Sequence, residues 1–346
     1  MSILSVLVIA VLVLWLRWCV TRQPYYYQAD YKVDAEQAHI LAEIAAIHVE
    51  ADTKPLWSKI SFYREVMERL GQEVNTVSTI VPSGGEGAPK GEWLLPPHAN
   101  PKRRILYIHG GGWSAGSPQS HRRITDQFAL LANACVFAID YRLIPEHSYL
   151  TGLKDCQQAY LWLLEHGPQG PGAADFMVIA GDSAGGSHTL ALLTWIRDRA
   201  LPSPSAAVAL SPATDLLRDS LRKGPNVARD PLLGPIVAPL AWLPKPLLWL
   251  GLALLMRTRP GHPWVSPLRA ELQQLTPTLI QASDSEILLE GIEAYTKKAR
   301  AAGSSVELQR YPNKVHVWHI FSRTHEPAFS DIADFLARIE AKTAQV

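Results

Sequence analysis

Residues 176–186 read FMVIAGDSAGG, and the chain then runs into a helical stretch from Thr189 to Arg199. Five apolar residues, Phe176 to Ala180, make a strand buried on both faces. Gly181-Asp182-Ser183-Ala184-Gly185 is a G-x-S-x-G placed between that strand and that helix. Such a turn holds the serine in a strained conformation with its hydroxyl exposed, and it needs glycines where neighbouring backbone comes too close for a Cβ. Ser183 is therefore the candidate nucleophile. A bare G-x-S-x-G is also compatible with an ordinary turn into a helix; the strand before it and the helix after it favour catalysis.

Working outward, short runs rich in β-branched residues occur at Val77–Val81, Trp93–Leu95, Arg104–Ile108, Cys135–Tyr141, Ala206–Leu210, Thr278–Ala282 and Val306–Tyr311. Helical stretches at 151–166, 184–199, 287–302 and 329–342 separate the later ones, and residues 35–70 read as helices broken at Pro55. Strands alternating with helices, each strand almost wholly apolar, predict an α/β fold: a mostly parallel eight-stranded sheet with helices on both faces. The site is then expected at the carboxyl ends of the strands. The run Arg104–Ile108 ends there in His109-Gly-Gly-Gly-Trp113, a bare backbone loop able to aim N–H groups at a developing oxyanion. No Lys-Ser/Thr follows these glycines, which argues against a phosphate loop.

The composition excludes other classes. The 346 residues carry 33 Lys+Arg against 32 Asp+Glu, and 47% are hydrophobic. A disordered chain would be poorer in apolar residues, and a net charge of +1 gives no basic field, so no nucleic-acid partner is expected. Cys19, Cys135 and Cys156 lie far apart with no metal-binding or disulfide spacing. His316 and His319 stand at helical spacing but lack a Glu-x-x-His partner, so neither metal nor cofactor is expected.

Two stretches hold much of the apolar excess. Ile3 to Val20 is apolar apart from Ser5 and Arg17, long enough to span a bilayer, with no cleavage site after it. It is read as a membrane anchor, and Arg17, Arg22 and Lys32 behind it place the catalytic domain on the cytoplasmic side. Pro231 to Met256 carries one charge, Lys245, in 26 residues. Its five prolines forbid a single spanning helix, and it is read either as a buried cap helix or as a lid that dips into the membrane.

HGGGW at 109–113, Asp140-Tyr-Arg-Leu-Ile-Pro-Glu146 and GDSAGG at 181–186 resemble the hormone-sensitive lipase family of α/β-hydrolases. So do Ser211-Pro-Ala-Thr-Asp215, Ser266-Pro-Leu268 and Tyr311-Pro-Asn-Lys-Val-His316. The resemblance covers roughly residues 100 to 340, with the motifs in the family's order. An apolar N-terminus is similar to the arylacetamide deacetylase branch. The resemblance implies an α/β-hydrolase fold with a helical cap, organised as an anchor (1–20), a helical segment contributing to the cap (21–73) and a catalytic domain (74–346) with a cap insertion at about 216–262. It implies a serine carboxylic ester hydrolase with a Ser-His-acid triad, and the two apolar stretches make short- to medium-chain acyl esters of lipophilic alcohols the expected substrates.

His316, after the last strand, stands where the family has its catalytic histidine; His319 and His325 are the rivals. Laying the family's acidic motif along the chain puts the acid on Glu286, with Asp284 as the alternative. The resemblance assigns the oxyanion hole to the N–H groups of Gly111, Gly112 and Ala184. A neutral histidine base would make activity fall below about pH 6.5. Amidase or deacetylase activity on the same triad, and a ligand-binding module of the same fold, are the alternative functions.

Overall fold

The computed structural model describes residues 33–72, 74–322 and 327–343. Helices α1 (Ala35–Asp52) and α2 (Lys59–Gln72) precede β1 (Thr79–Ser83), β2 (Gly91–Leu95) and β3 (Asn100–Ile108). Then come α3 (Arg122–Ala132), β4 (Ala134–Ile139), α4 (Tyr149–Glu165), β5 (Phe176–Asp182), α5 (Ser183–Asp198) and β6 (Ala206–Leu210). After an insertion that includes α6 (Lys245–Met256), the chain closes with β7 (Thr278–Ser283), α7 (Leu289–Ala301), β8 (Val306–Tyr311) and α8 (Pro327–Thr343).

The eight strands form one sheet in the order β1-β2-β4-β3-β5-β6-β7-β8. β2 pairs antiparallel with β1 and β4, and every pairing from β4 onward is parallel. The mostly parallel sheet is thus as expected, with one antiparallel edge. Alternation along each strand explains why both faces are covered. In β3, Leu106 and Ile108 enter one core while Ile105 and Tyr107 enter the other. In β5, Met177 and Ile179 go one way, Phe176, Val178 and Ala180 the other. Leu153, Cys156, Tyr160 and Leu163 of α4 close the first core at helical spacing. Phe329, Ile332, Phe335 and Leu336 of α8 close the second.

The sequence reading passed over α3. Its Ile124, Phe128, Ala129 and Ala132 lie on one buried stripe, and Asn133 ends it in the left-handed conformation, its N–H turned back to Ala129 and Leu130.

The expected localisation is corrected. No helix among the described residues is long and apolar enough to cross a membrane, and the anchor assigned to residues 3–20 lies outside those residues. The proline-rich stretch 231–256 folds as the short turns Gly234–Val237 and Ala238–Trp242 followed by α6, twelve residues long. The single-pass, cytoplasm-facing arrangement and the membrane contacts expected of 3–20 and 231–256 are withdrawn.

Candidate active site

The sharp turn from β5 into α5 is enforced by proximity to β3. A Cβ on Gly185 would lie 1.9 Å from the carbonyl oxygen of Ile108, and one on Gly181 would lie 2.6 Å from the same atom. Glycine lets the helix start directly behind the strand, and Ser183 is held at φ +50°, a left-handed conformation costly for a non-glycine residue. The strain lifts a half-buried hydroxyl clear of the sheet at the carboxyl ends of the strands.

His316 follows β8 and meets that hydroxyl, with Nε2 2.9 Å from Ser183 Oγ. Its Nδ1 lies 2.8 Å from Glu286 Oε2, and Glu286 Oε1 accepts the N–H of Ser283 at 3.1 Å. Glu286 is fully buried and His316 nearly so. Burial works against a charged imidazole, but the hydrogen bond and charge of Glu286, helped by Asp230 and Asp182, outweigh it and raise the pKa of His316 above 6.5.

Of the two acids weighed from the sequence, the fold turns Asp284 outward. Its Oδ1 accepts Nε of Arg310 at 2.7 Å at the protein surface. His319 Nε2 lies 2.9 Å from Gln281 Oε1, and burial pushes that ring down to about 3. His325 lies outside the described residues.

The glycine loop after β3 is gripped from below. Gly110 N–H donates to Asp182 Oδ1 at 3.0 Å, and Tyr107 donates its hydroxyl to the same oxygen at 2.7 Å. His121 Nε2 sits 3.4 Å from the other carboxylate oxygen and 3.2 Å from Gly110 N. Burial opposes the Asp182 charge, yet His121 and Tyr107 hold its carboxyl below the usual range. Gly111 and Gly112 then turn at φ +104° and +62°, and among the described residues their N–H groups have no acceptor. Ala184 is the second residue of α5, so its N–H belongs to the helix's free amino-terminal donors. Trp113 Nε1 donates to the Ala184 carbonyl at 3.1 Å, joining the glycine loop to the start of α5. Arg64 of α2 donates to the carbonyls of Ser114 and Ile144, at 2.7 and 3.2 Å, and steadies the far side.

Among the described residues no group of three His, Cys, Asp or Glu side chains could hold a metal ion. The sequence reading missed Tyr107, His121 and Asp182 as supports of the glycine loop. Asp182 stood inside the quoted motif; nothing in the order of residues joined it to His121, sixty-one positions earlier.

A serine hydroxyl hydrogen-bonded to an imidazole that is backed by a buried carboxylate is the arrangement of a serine hydrolase. A family model for the alpha/beta hydrolase fold matches residues 105–320. An acetyl-hydrolase of Streptomyces hygroscopicus is 36% identical over 228 residues, covering 66% of this chain and 72% of that one. The carboxylesterase/phospholipase LipF of Mycobacterium tuberculosis is 34% identical over 63% of this chain, a match spanning 56% of its own length. A crystal structure of an esterase from the bacterial hormone-sensitive lipase family superposes with a TM-score of 0.75 at 29% identity, covering 89% of this chain and 99% of that one. The chain belongs to the hormone-sensitive lipase family of α/β-hydrolases, and it is a serine ester hydrolase.

Proposed function

We propose that Ser183, His316 and Glu286 form the catalytic triad, that the N–H groups of Gly111, Gly112 and Ala184 form the oxyanion hole, and that the substrates are short- to medium-chain acyl esters of lipophilic alcohols. The observation that carries this reading is the continuous relay from Ser183 Oγ to His316 Nε2 at 2.9 Å and from His316 Nδ1 to Glu286 Oε2 at 2.8 Å. Neutral His316 keeps its proton on Nδ1, where Glu286 accepts it, and leaves Nε2 free to accept the Ser183 proton. Ser183 Oγ attacks the ester carbonyl as that proton moves to Nε2. The oxyanion is met by fixed backbone donors, each contributing about 3 kcal/mol to lowering the barrier.

The imidazolium then protonates the departing alcohol, leaving an acyl-enzyme on Ser183. Water, deprotonated by His316, attacks that ester and releases the acid, restoring the starting hydroxyl. The name acetyl-hydrolase of the Streptomyces hygroscopicus relative supports a small acyl group. Helices α1 and α2 and the insertion between β6 and β7 form the cap over the pocket. His48 of α1, whose Nε2 lies 3.0 Å from the Pro231 carbonyl, supports this grouping.

The test is fluorophosphonate labelling of the full chain and of Ser183→Ala, with hydrolysis of p-nitrophenyl esters of increasing acyl length and of matched anilides. Label and esterase activity are expected to vanish together in the variant, with acetate to hexanoate esters turned over fastest. Labelling that survives Ser183→Ala overturns the nucleophile, and faster turnover of the anilides overturns the ester reading.

A further inference from the structure

Two side chains of the insertion reach the loop that carries Glu286. Asn226, in the 3-10 turn Pro225–Val227, donates through Nδ2 to the carbonyl oxygens of both Asp284 and Glu286, each at 2.9 Å. Asp230, only 1% exposed, accepts the N–H of Ile287 on Oδ2 at 3.0 Å. Its Oδ1 accepts the N–H groups of Leu232 and Leu233 at 3.1 and 2.9 Å. The backbone on both sides of Glu286 is therefore tied to the insertion, in addition to the Asp284 N–H that donates to the Tyr311 carbonyl of β8 at 3.0 Å. Within the loop itself the bonds between backbone groups are long: Glu286 N to Ser283 O is 3.5 Å and Leu289 N to Glu286 O is 3.3 Å.

Capping the turn at Leu232 and Leu233 asks for one oxygen, and a serine or asparagine supplies that without a charge. A carboxylate buried this deeply is costly unless it is compensated, and its second oxygen is turned onto the acid loop. The charged or titratable groups facing His316 are Glu286 from that loop, Asp230 from the insertion, Asp182 from the turn before α5 and His319 from its own loop. Asp230 in turn faces His316 and Glu286: burial raises its carboxyl above the usual range and Glu286 adds to the rise, while His316 and the N–H groups of Leu233 and Ile287 favour its charge. Its negative charge favours the imidazolium, the state that His316 must reach as Ser183 attacks.

We infer that Asn226 and Asp230 are positioning residues of the reaction: Asn226 fixes the acid loop so that Glu286 meets His316, and Asp230 supplies a second buried negative charge that stabilises the protonated ring. The insertion thus completes the relay as well as flanking it. This inference rests on the proposed roles of Ser183, His316 and Glu286.

The experiment compares full-length Asp230→Asn and Asn226→Ala with the parent and with Ser183→Ala. Readouts are kcat and KM for p-nitrophenyl acetate from about pH 5 to 9, the fluorophosphonate labelling rate and the melting temperature. Asp230→Asn is expected to lower kcat about tenfold with KM little changed, and to move the acid limb of the pH profile to lower pH, because the ring loses a stabilising charge. Asn226→Ala is expected to lower kcat and labelling rate by about the same factor with the acid limb in place, since Glu286 keeps its charge. If Asp230→Asn does not yield folded protein, Asp230→Ser, which keeps a cap but no charge, answers the same question. A fall in melting temperature with kcat and the acid limb both unmoved overturns the inference. Labelling of Ser183→Ala would instead remove the triad reading beneath it.

Discussion

Replacing Glu286 by glutamine exposes the logic of the site, because the side chain keeps its size and loses one acceptor. Both oxygens are in use, Oε1 by the Ser283 N–H at 3.1 Å and Oε2 by the His316 ring at 2.8 Å. An amide has one oxygen. If that oxygen stays with Ser283, the amide nitrogen faces Nδ1 and can only donate to it, which forces the ring's proton onto Nε2. Nε2 then has no lone pair for the Ser183 proton. A wrong tautomer in a triad with intact geometry costs about 10⁴-fold in kcat, or about 5 kcal/mol of barrier. If the glutamine flips, Ser283 loses its acceptor in a fully buried place, a penalty of about 1–3 kcal/mol to stability. The assay is steady-state hydrolysis of p-nitrophenyl acetate by Glu286→Gln, with Asp284→Asn as the companion. Asp284 pairs with Arg310 at the surface, so its variant is expected to stay within about twofold of the parent. Retention of a tenth of the activity by Glu286→Gln, or a large loss in Asp284→Asn alone, would refute the reasoning.

Four further outcomes are expected. The acid limb of kcat/KM should be centred above pH 6.5, because His316 is raised above that value and must start neutral; a limb below 6.5 in the parent enzyme contradicts the electrostatics. The same shift adds stability that is fully present below pH 6.5 and fades as pH rises through the folded value, which urea titrations at several pH values would detect. Gly185→Ala brings a Cβ to 1.9 Å from Ile108 O and 2.6 Å from His109 O, so it should lose more than about 3 kcal/mol or fail to fold, whereas an equilibrium unfolding loss under about 1 kcal/mol would rule out the close approach. Arg104, 2% exposed, donates to the carbonyls of Pro101, Leu163 and Gly172 at 2.7–2.8 Å, so Arg104→Met should cost about 2–4 kcal/mol in urea denaturation while kcat holds.

Much of the fold was legible because each buried strand is a short apolar run and each long helix carries a stripe. Helix α3 escaped because its stripe is brief and opens on Arg122 and Arg123, and its identity as a helix rests on Ile124 and Phe128 meeting the sheet. Among the site residues, Ser183 declared itself through two glycines whose necessity is local. The choice between Glu286 and Asp284 was different in kind. They stand two residues apart on one loop, and sequence offers no measure of which points inward.

What the order of residues determined alone is whatever depends on neighbours in the chain: strand and helix periodicity, the turn around Ser183, the bare loop at Gly110–Gly112. What only the tertiary structure decided is whatever depends on groups distant in sequence meeting in a medium without water. Asp182 finds His121 and Tyr107, Glu286 finds His316, and Asn226 and Asp230 find the acid loop, in each case across thirty to seventy-five positions. Burial makes those partnerships decisive, because a buried charge must be satisfied by particular groups in a particular geometry, and no local pattern in the chain records which groups those are.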